Sequence, residues 1–275
     1  MKRRAGLLPL HAVTALCAAA AVATAWLPAG WRGPSLIGIA VVFVGLVARA
    51  SIAPRSRLLG PCLARIDGAG HFALTFDDGP DPACTPAVLD LLRARGVSAA
   101  FFLIGERVDA HPELTRRIAA EGHLIGNHSH THRARLTLSR TATLRADLET
   151  CQRAIGRATG AEPRWFRPPF GVRTHATAPA AARLGLAVVG WDCGGRDGGT
   201  RDTAAARRRI AARLRAGSIV LLHDGGQDPS RATELLEGVL DDAAARGLRP
   251  VRLDRMVAAA GDVPSGAPAT SPDDA

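Results

Sequence analysis

From Gly68-Ala69-Gly70 onward the chain alternates short apolar runs with longer amphipathic segments, and nothing else in it constrains the fold as strongly. His71–Phe76, Ser98–Leu103, Leu186–Val189, Ser218–Leu222 and Arg249–Leu253 are short and apolar with β-branched or aromatic content, which predicts strands. Thr85–Arg95, Pro112–Glu121, Ser139–Thr159, Asp202–Arg215 and Thr233–Arg246 are predicted helices, several closed by Arg-x-Gly or Arg-Gly. Strand alternating with helix implies a largely parallel α/β sheet or barrel, whose functional residues sit where strands end. At 47% apolar and 22% charged residues, a chain of 275 supplies one such domain with a buried core.

Upstream the pattern is different. Ala5 to Trp31 contains no Asp, Glu, Lys or Arg, and its stretch up to Leu27 would span about 35 Å as a helix, enough for a bilayer core. A second uncharged run, Gly33 to Ala48, reaches about 24 Å and would need bilayer thinning and snorkelling by Arg32 and Arg49. Residues 1–66 are therefore expected to form a membrane anchor of one or two transmembrane helices plus a basic linker. A cleaved signal peptide is the alternative, with Lys2-Arg3-Arg4 as its basic region and Ala23-Thr24-Ala25 as its cleavage site. Positive charge flanks both ends of the pair, which favours a hairpin with both ends in the cytoplasm; a single span would place the rest outside. These residues hold no acid and one histidine, His11, so no contribution to an active site is expected of them.

The formal charge of +10 is concentrated there as well. Residues 1–66 carry eight basic and no acidic residues, leaving 27 basic against 25 acidic in the rest. That balance argues against a nucleic-acid partner. Five widely spaced cysteines without a C-x-x-C pair indicate neither a disulfide framework nor a thiolate zinc site. The stretch from Gly261 to Ala275, rich in Pro, Ser, Asp and Ala, is an expected disordered tail.

Two motifs carry chemistry. Thr75-Phe76-Asp77-Asp78-Gly79-Pro80 ends the first strand with adjacent carboxylates, which can serve one site only if Gly79-Pro80 turns the backbone. Asn127-His128-Ser129-His130-Thr131-His132 packs three imidazoles into five residues. On a helix, His128 and His132 would share a face and could bind one divalent metal with Asp78 as third ligand and water in the open position, His130 pointing away. Two histidines and a carboxylate suit Zn²⁺ first and other first-row ions after it. His11, His71, His111, His123 and His175 are assigned structural roles. Downstream, Arg167-Pro168-Pro169-Phe170-Gly171, the Gly-rich stretch around Asp197 and Leu221-Leu222-His223-Asp224 are each weak alone.

Taken in order, Thr-Phe-Asp-Asp-Gly-Pro, His-Ser-x-Thr-His, Arg-Pro-Pro-Phe-Gly, Trp-x(5)-Asp and Leu-Leu-His-Asp closely resemble the polysaccharide deacetylases of carbohydrate esterase family 4, the NodB homology domain. The resemblance runs from about His71 to Met256. It implies a distorted (β/α) barrel at 67–260 behind the anchor, and metal-dependent removal of N-acetyl groups from an acetylated glycan or glycolipid. On these positions it implies Asp78, His128 and His132 as ligands of one divalent ion, and Asp77 as general base oriented by Arg167. It further implies His223 as general acid oriented by Asp197, the Phe170 backbone N–H at the oxyanion, and Leu221 beside the acetyl methyl. Many relatives carry Asp-x-x-Asp-Trp where this chain has Gly194, Asp197 and Gly198, so a Trp wall of the groove is missing. Phe170 replaces a commoner Tyr. A catalytically silent glycan-binding or scaffold protein is the alternative, as is metal binding without hydrolysis; the latter leaves Arg167, Asp197 and His223 without a role.

Overall fold

A computed structural model describes residues 10–53, 56–66 and 70–261. The basic Lys2-Arg3-Arg4 cluster and the expected tail beyond Gly261 lie outside the described residues. Eight strands, β1 (His71–Asp77), β2 (Ala100–Leu103), β3 (Leu124–Asn127), β4 (Trp165–Phe166), β5 (Ala187–Val188), β6 (Cys193–Gly194), β7 (Ile219–His223) and β8 (Arg249–Pro250), form one sheet. Its order is β5-β4-β3-β2-β1-β7-β6, with β8 also on β1, and every pair is parallel. The result is the curled half-barrel form of the expected (β/α) barrel. Eight helices accompany it: α3 (Thr85–Ala94), α4 (Gly105–Ala110), α5 (Pro112–Ala120), α6 (Thr141–Thr159), α7 (Thr177–Ala182), α8 (Thr203–Ala211), α9 (Pro229–Ala244) and α10 (Leu253–Ala259). They follow two helices at the N-terminus, α1 (Leu10–Ala23) and α2 (Ala29–Ile52).

Side-chain alternation along the central strands assigns each residue to one of two cores. Phe72, Leu74 and Phe76 of β1, with Val220 and Leu222 of β7, pack outward against Val88, Leu92 and Leu236 of the covering helices. Phe76 and Phe101 stack there at 4.9 Å. Ala73 and Ile219 face inward with Phe102, Trp165, Met256 and Ile66. The same period carries Thr75 and Asp77 on β1, and Leu221 and His223 on β7, onto the inner face. The register pairs Thr75 with Leu221 and Asp77 with His223. Two inner-face polar side chains thus stand side by side at the carboxyl ends of neighbouring strands, where parallel sheets place their sites.

Several elements depart from the sequence reading. The expected strand Arg249–Leu253 ends at Pro250, and Leu253, fully buried, opens α10 instead. β4 and β6, two residues each, are too short to show a period, and α4 and α7 are single short turns of helix that lack an amphipathic stripe of useful length. Of the N-terminal pair, the second helix is the long one. α2 has 24 residues, about 36 Å at 1.5 Å per residue, and a mean hydropathy of 2.2. It runs through Arg32 and Arg49, the charges that bounded the run in sequence. The described part of the first run is a 14-residue helix and a 3-10 turn, Thr24–Trp26, interrupted before Pro28. The Leu10 N–H donates to the Leu58 carbonyl at 3.1 Å, so α1 and α2 fold back as a hairpin.

Packing onto the sheet also begins before residue 67. Leu63 pairs in parallel with Val189, the residue after β5, the Leu63 N–H donates to the Val188 carbonyl, the Ile66 N–H donates to the Gly217 carbonyl, and Ile66 is fully buried. All five cysteines are free thiols, as their spacing implied.

Candidate active site

The Asp-Asp turn forms because Asp78 adopts a left-handed φ of 73° at the end of β1 and Gly79-Pro80 follows as a cis peptide. Asp77 keeps the inner-face direction of the strand while Asp78 swings to the same cleft. A side chain at Gly79 would strike the Asp224 carboxylate. That carboxylate is fully buried, accepts from the Thr85 hydroxyl at 2.6 Å, and is pushed up to about 7 by burial. Asp224 thus fixes the turn, a role its place after His223 did not reveal.

The histidine motif is not helical. His128 and His132 occupy a loop after β3 in which Ser129 (φ 67°) and His132 (φ 48°) both take left-handed backbone conformations. The expected i, i+4 helix face is therefore replaced by a tight loop that brings the rings to 4.8 Å between centroids. Asp147 of α6 holds the loop, accepting from the His130 N–H at 2.7 Å and the Thr131 hydroxyl at 2.9 Å. His130 packs against Gly105, away from the cleft as expected. His123, buried, accepts from the Ala99 N–H at 3.1 Å and is pushed down to about 4 by burial, a structural histidine as assigned.

Asp78 Oδ1 lies 3.4 Å from His128 Nε2 and 3.3 Å from His132 Nε2, and the three candidate ligand atoms fall within 4.8 Å of one another. His128 Nδ1–H donates to the Arg167 carbonyl at 2.7 Å, which leaves Nε2 with its lone pair toward Asp78. Burial pushes the Asp78 carboxyl up, but the His128 and His132 rings, when they carry protons, outweigh it and hold it at about 2. Burial and neighbouring His128 push His132 down to about 4, so it is neutral and ligand-competent near neutrality. Asp78 Oδ1 is buried with no hydrogen-bond partner. Lone pairs converging on an orphaned carboxylate oxygen fit a divalent cation, because without one they repel.

Beside this group sit two polar pairs. Arg167, fully buried, donates from Nη1 to Asp77 Oδ1 at 2.7 Å and to the Thr75 hydroxyl at 2.8 Å, and from Nη2 to the Gly190 carbonyl at 3.1 Å. Its guanidinium stacks 4.2 Å from the Phe102 ring and 5.7 Å from Trp191. Across the register, His223 faces Asp197, with Nδ1 3.1 Å from Asp197 Oδ2 and the His223 backbone N–H donating to the same oxygen at 2.8 Å. Burial lowers the His223 pKa, yet the Asp197 hydrogen bond and charge, followed by Asp77 and Asp78, raise it to about 9. Phe170, at φ 58°, exposes its ring over His132 at 4.6 Å. Leu221 lines the cleft between the two sides.

All nine residues singled out in sequence thus gather at one cleft of about 1330 Å³, with Arg167 and Asp197 behind the groups they hold. Thr75, Trp191 and Asp224 stand inside the sequence motifs but were given no role there, and Asp147 lies outside every motif, so only the fold reveals what these four hold. The cleft is also lined by Ile52 and Ala53, so the N-terminal segment reaches the site it was expected to leave alone. Arg173, 2% exposed and just beyond the Phe170 turn, donates to the Ala50, Ala53 and Ser56 carbonyls, and its N–H donates to Ser51. Of these, the Ala50 and Ser51 carbonyls belong to the last turn of α2, where a helix leaves its acceptors open, and a cation there suits the negative end of the α2 dipole.

The polysaccharide deacetylase family profile matches residues 65–189. A chitooligosaccharide deacetylase from a Bradyrhizobium species is 39% identical over 184 residues, 66% of this chain and 83% of that protein. The chain belongs to the polysaccharide deacetylase family. A peptidoglycan-N-acetylglucosamine deacetylase of Bacillus cereus is 36% identical over 187 residues, covering 67% of this deacetylase and 87% of its relative. Among solved structures, a family 4 carbohydrate esterase from Streptomyces lividans in complex with acetate superposes with a TM-score of 0.61 at 31% identity, over 66% of this chain and 92% of that one. The polysaccharide deacetylase is a hydrolase that removes N-acetyl groups, and its family uses a divalent metal.

Proposed function

We propose that this enzyme hydrolyses the acetamide of an N-acetylglucosamine-type glycan or glycolipid, releasing acetate, with Asp77 as general base and His223 as general acid. The observation that carries this reading is the register pair at the strand ends: a carboxylate held by Arg167 and an imidazole held by Asp197 stand on neighbouring strands beside one candidate metal group.

Asp78, His128 and His132 would hold the ion, Zn²⁺ first by donor type. A bound divalent ion supplies Lewis acidity toward the amide carbonyl and lowers the pKa of water. Asp77 Oδ1 is occupied by Arg167, which leaves Oδ2 to take a proton from the attacking water. His223, pushed up to about 9, carries a proton at neutral pH and delivers it to the departing amine, without which the C–N bond does not break. The Phe170 N–H would stabilise the oxyanion, and Leu221 would seat the acetyl methyl. A silent binding fold has no need of both held pairs. The hairpin of α1 and α2 would anchor the enzyme in a membrane, supported by the length and apolar character of α2.

The test is acetate release from N-acetylglucosamine oligomers by metal-loaded enzyme. Asp77→Asn is expected to lower turnover by roughly 10² to 10⁴ while the metal stays bound. Wild-type turnover in that variant would remove Asp77 from its role.

A further inference from the structure

The deacetylase cleft carries more than its reaction needs. Four arginines, Arg196, Arg209, Arg213 and Arg215, line it together with the reactive groups. Arg215 lies 3.6 Å from Asp192, and Arg209 donates to the Gly195 carbonyl at 3.1 Å. Arg196 and Arg213 have no carboxylate within ion-pair distance among the described residues. Arg209, on α8, and Arg213, just beyond its end, are both exposed and line the same cleft, so they give it a positive potential that favours an anion. Hydrolysis of a neutral acetamide does not call for that charge.

Two further features define what the anion is attached to. A side chain at Gly198 would stand 3.1 Å from the His223 ring, so the glycine leaves the imidazole uncovered on the side of the Arg196 loop. A substrate at His223 can therefore extend toward the arginines. In addition, Ile52 and Ala53 line the cleft; Ile52 ends the one described helix long and apolar enough to cross a bilayer, and Ala53 follows it. Arg173 fastens that end to the domain. With α2 in a membrane, the cleft opens at the bilayer surface, the level at which lipid phosphates lie.

On the deacetylase reading above, we propose that the substrate is an acetamido sugar joined through a phosphate to a membrane lipid. Its phosphate is held by Arg196, Arg209 and Arg213 while its acetamide reaches Asp78, His128 and His132. Arginine suits this because its planar fork binds phosphate oxygens in pairs. The reaction remains amide hydrolysis: the C–N bond breaks, water supplies the oxygen of acetate and the proton of the amine, and the phosphate ester is untouched.

The experiment compares kcat/KM of the full-length, metal-loaded protein in lipid nanodiscs on three substrates: a neutral N-acetylglucosamine oligomer, N-acetylglucosamine 1-phosphate, and the farnesyl ester of that phosphate. The farnesyl compound is expected to be preferred over the neutral oligomer. Arg209→Gln/Arg213→Gln should reduce that preference by roughly 10-fold to 100-fold, as expected for losing hydrogen bonds to a charged group. Both arginines are exposed, so the variant is expected to fold. A preference that the double variant leaves unchanged, or faster turnover of the neutral oligomer by wild type, would overturn the proposal. Equal rates on the soluble and farnesyl phosphates would overturn its membrane part. Absence of acetate from all three substrates would instead count against the deacetylase reading itself.

Discussion

Asp197→Asn offers a direct reading of the acid. Asp197 Oδ2 accepts from both the His223 backbone N–H and Nδ1, at 2.8 and 3.1 Å. Asparagine keeps an acceptor oxygen at that place and removes only the charge. Charge centres about 4 Å apart interact by roughly 1 kcal/mol at the dielectric of water and about 4 kcal/mol at an effective value of 20. At 1.36 kcal/mol per pH unit, this corresponds to a fall of about 1 to 3 units in the His223 pKa. The sign is fixed by which form works. With His223 as the proposed acid the imidazolium is the working form, so activity is expected below its pKa and lost as pH rises through it; in wild type, where it is raised to about 9, that loss is alkaline. In Asp197→Asn the alkaline limb of kcat/KM for acetate release should move to lower pH by about 1 to 3 units. If the limb stays in place and activity falls uniformly across the profile, Asp197 only shapes the strand end and His223 is not the acid.

Elemental analysis is expected to find about one divalent ion per wild-type chain and little or none in the His128→Ala/His132→Ala double variant; full occupancy in the variant would dismiss the site. Arg173→Ala removes the side-chain donor from the Ala50, Ala53 and Ser56 carbonyls, of which Ala53 keeps the Ser56 N–H. It should cost about 1 to 3 kcal/mol and open the 50–58 segment to limited proteolysis in detergent, and unchanged resistance would show that the latch is not needed. A truncation beginning at Ser56 should be more stable than one beginning at Asp67. Burial of Ile66 contributes about 1.5 to 3 kcal/mol, and only the longer chain keeps the Leu63 and Ile66 bonds to the sheet. Equal melting temperatures would mean that the 56–66 segment does not contribute.

Local chemistry written along the chain was enough to single out the residues that gather at the candidate site. Adjacent carboxylates before Gly79-Pro80, three histidines in five residues and a histidine ending an apolar run are contiguous signals, and their order brought out the family. Periodicity likewise found β1, β7 and the long helices α6 and α9, because buried strands and amphipathic helices of that length repeat their pattern several times. It missed β4 and β6, where two residues cannot show a period, and it mistook the start of α10 for strand because Leu253 is buried in either setting.

What only the tertiary structure decided are the relations between residues far apart in sequence. Asp77 and His223 stand together because β7 joins β1 in parallel register, a pairing set by core packing across 146 positions of chain. The histidine pair converges through left-handed residues in a loop that Asp147 holds, not through a helical repeat. The N-terminal helices looked separate from the site because sequence records only their apolarity. Their placement follows from Arg173, whose buried guanidinium finds its acceptors more than a hundred residues upstream. A buried cation must be given hydrogen-bond acceptors wherever the fold brings them, and here it brings the end of an apolar helix to the rim of the cleft.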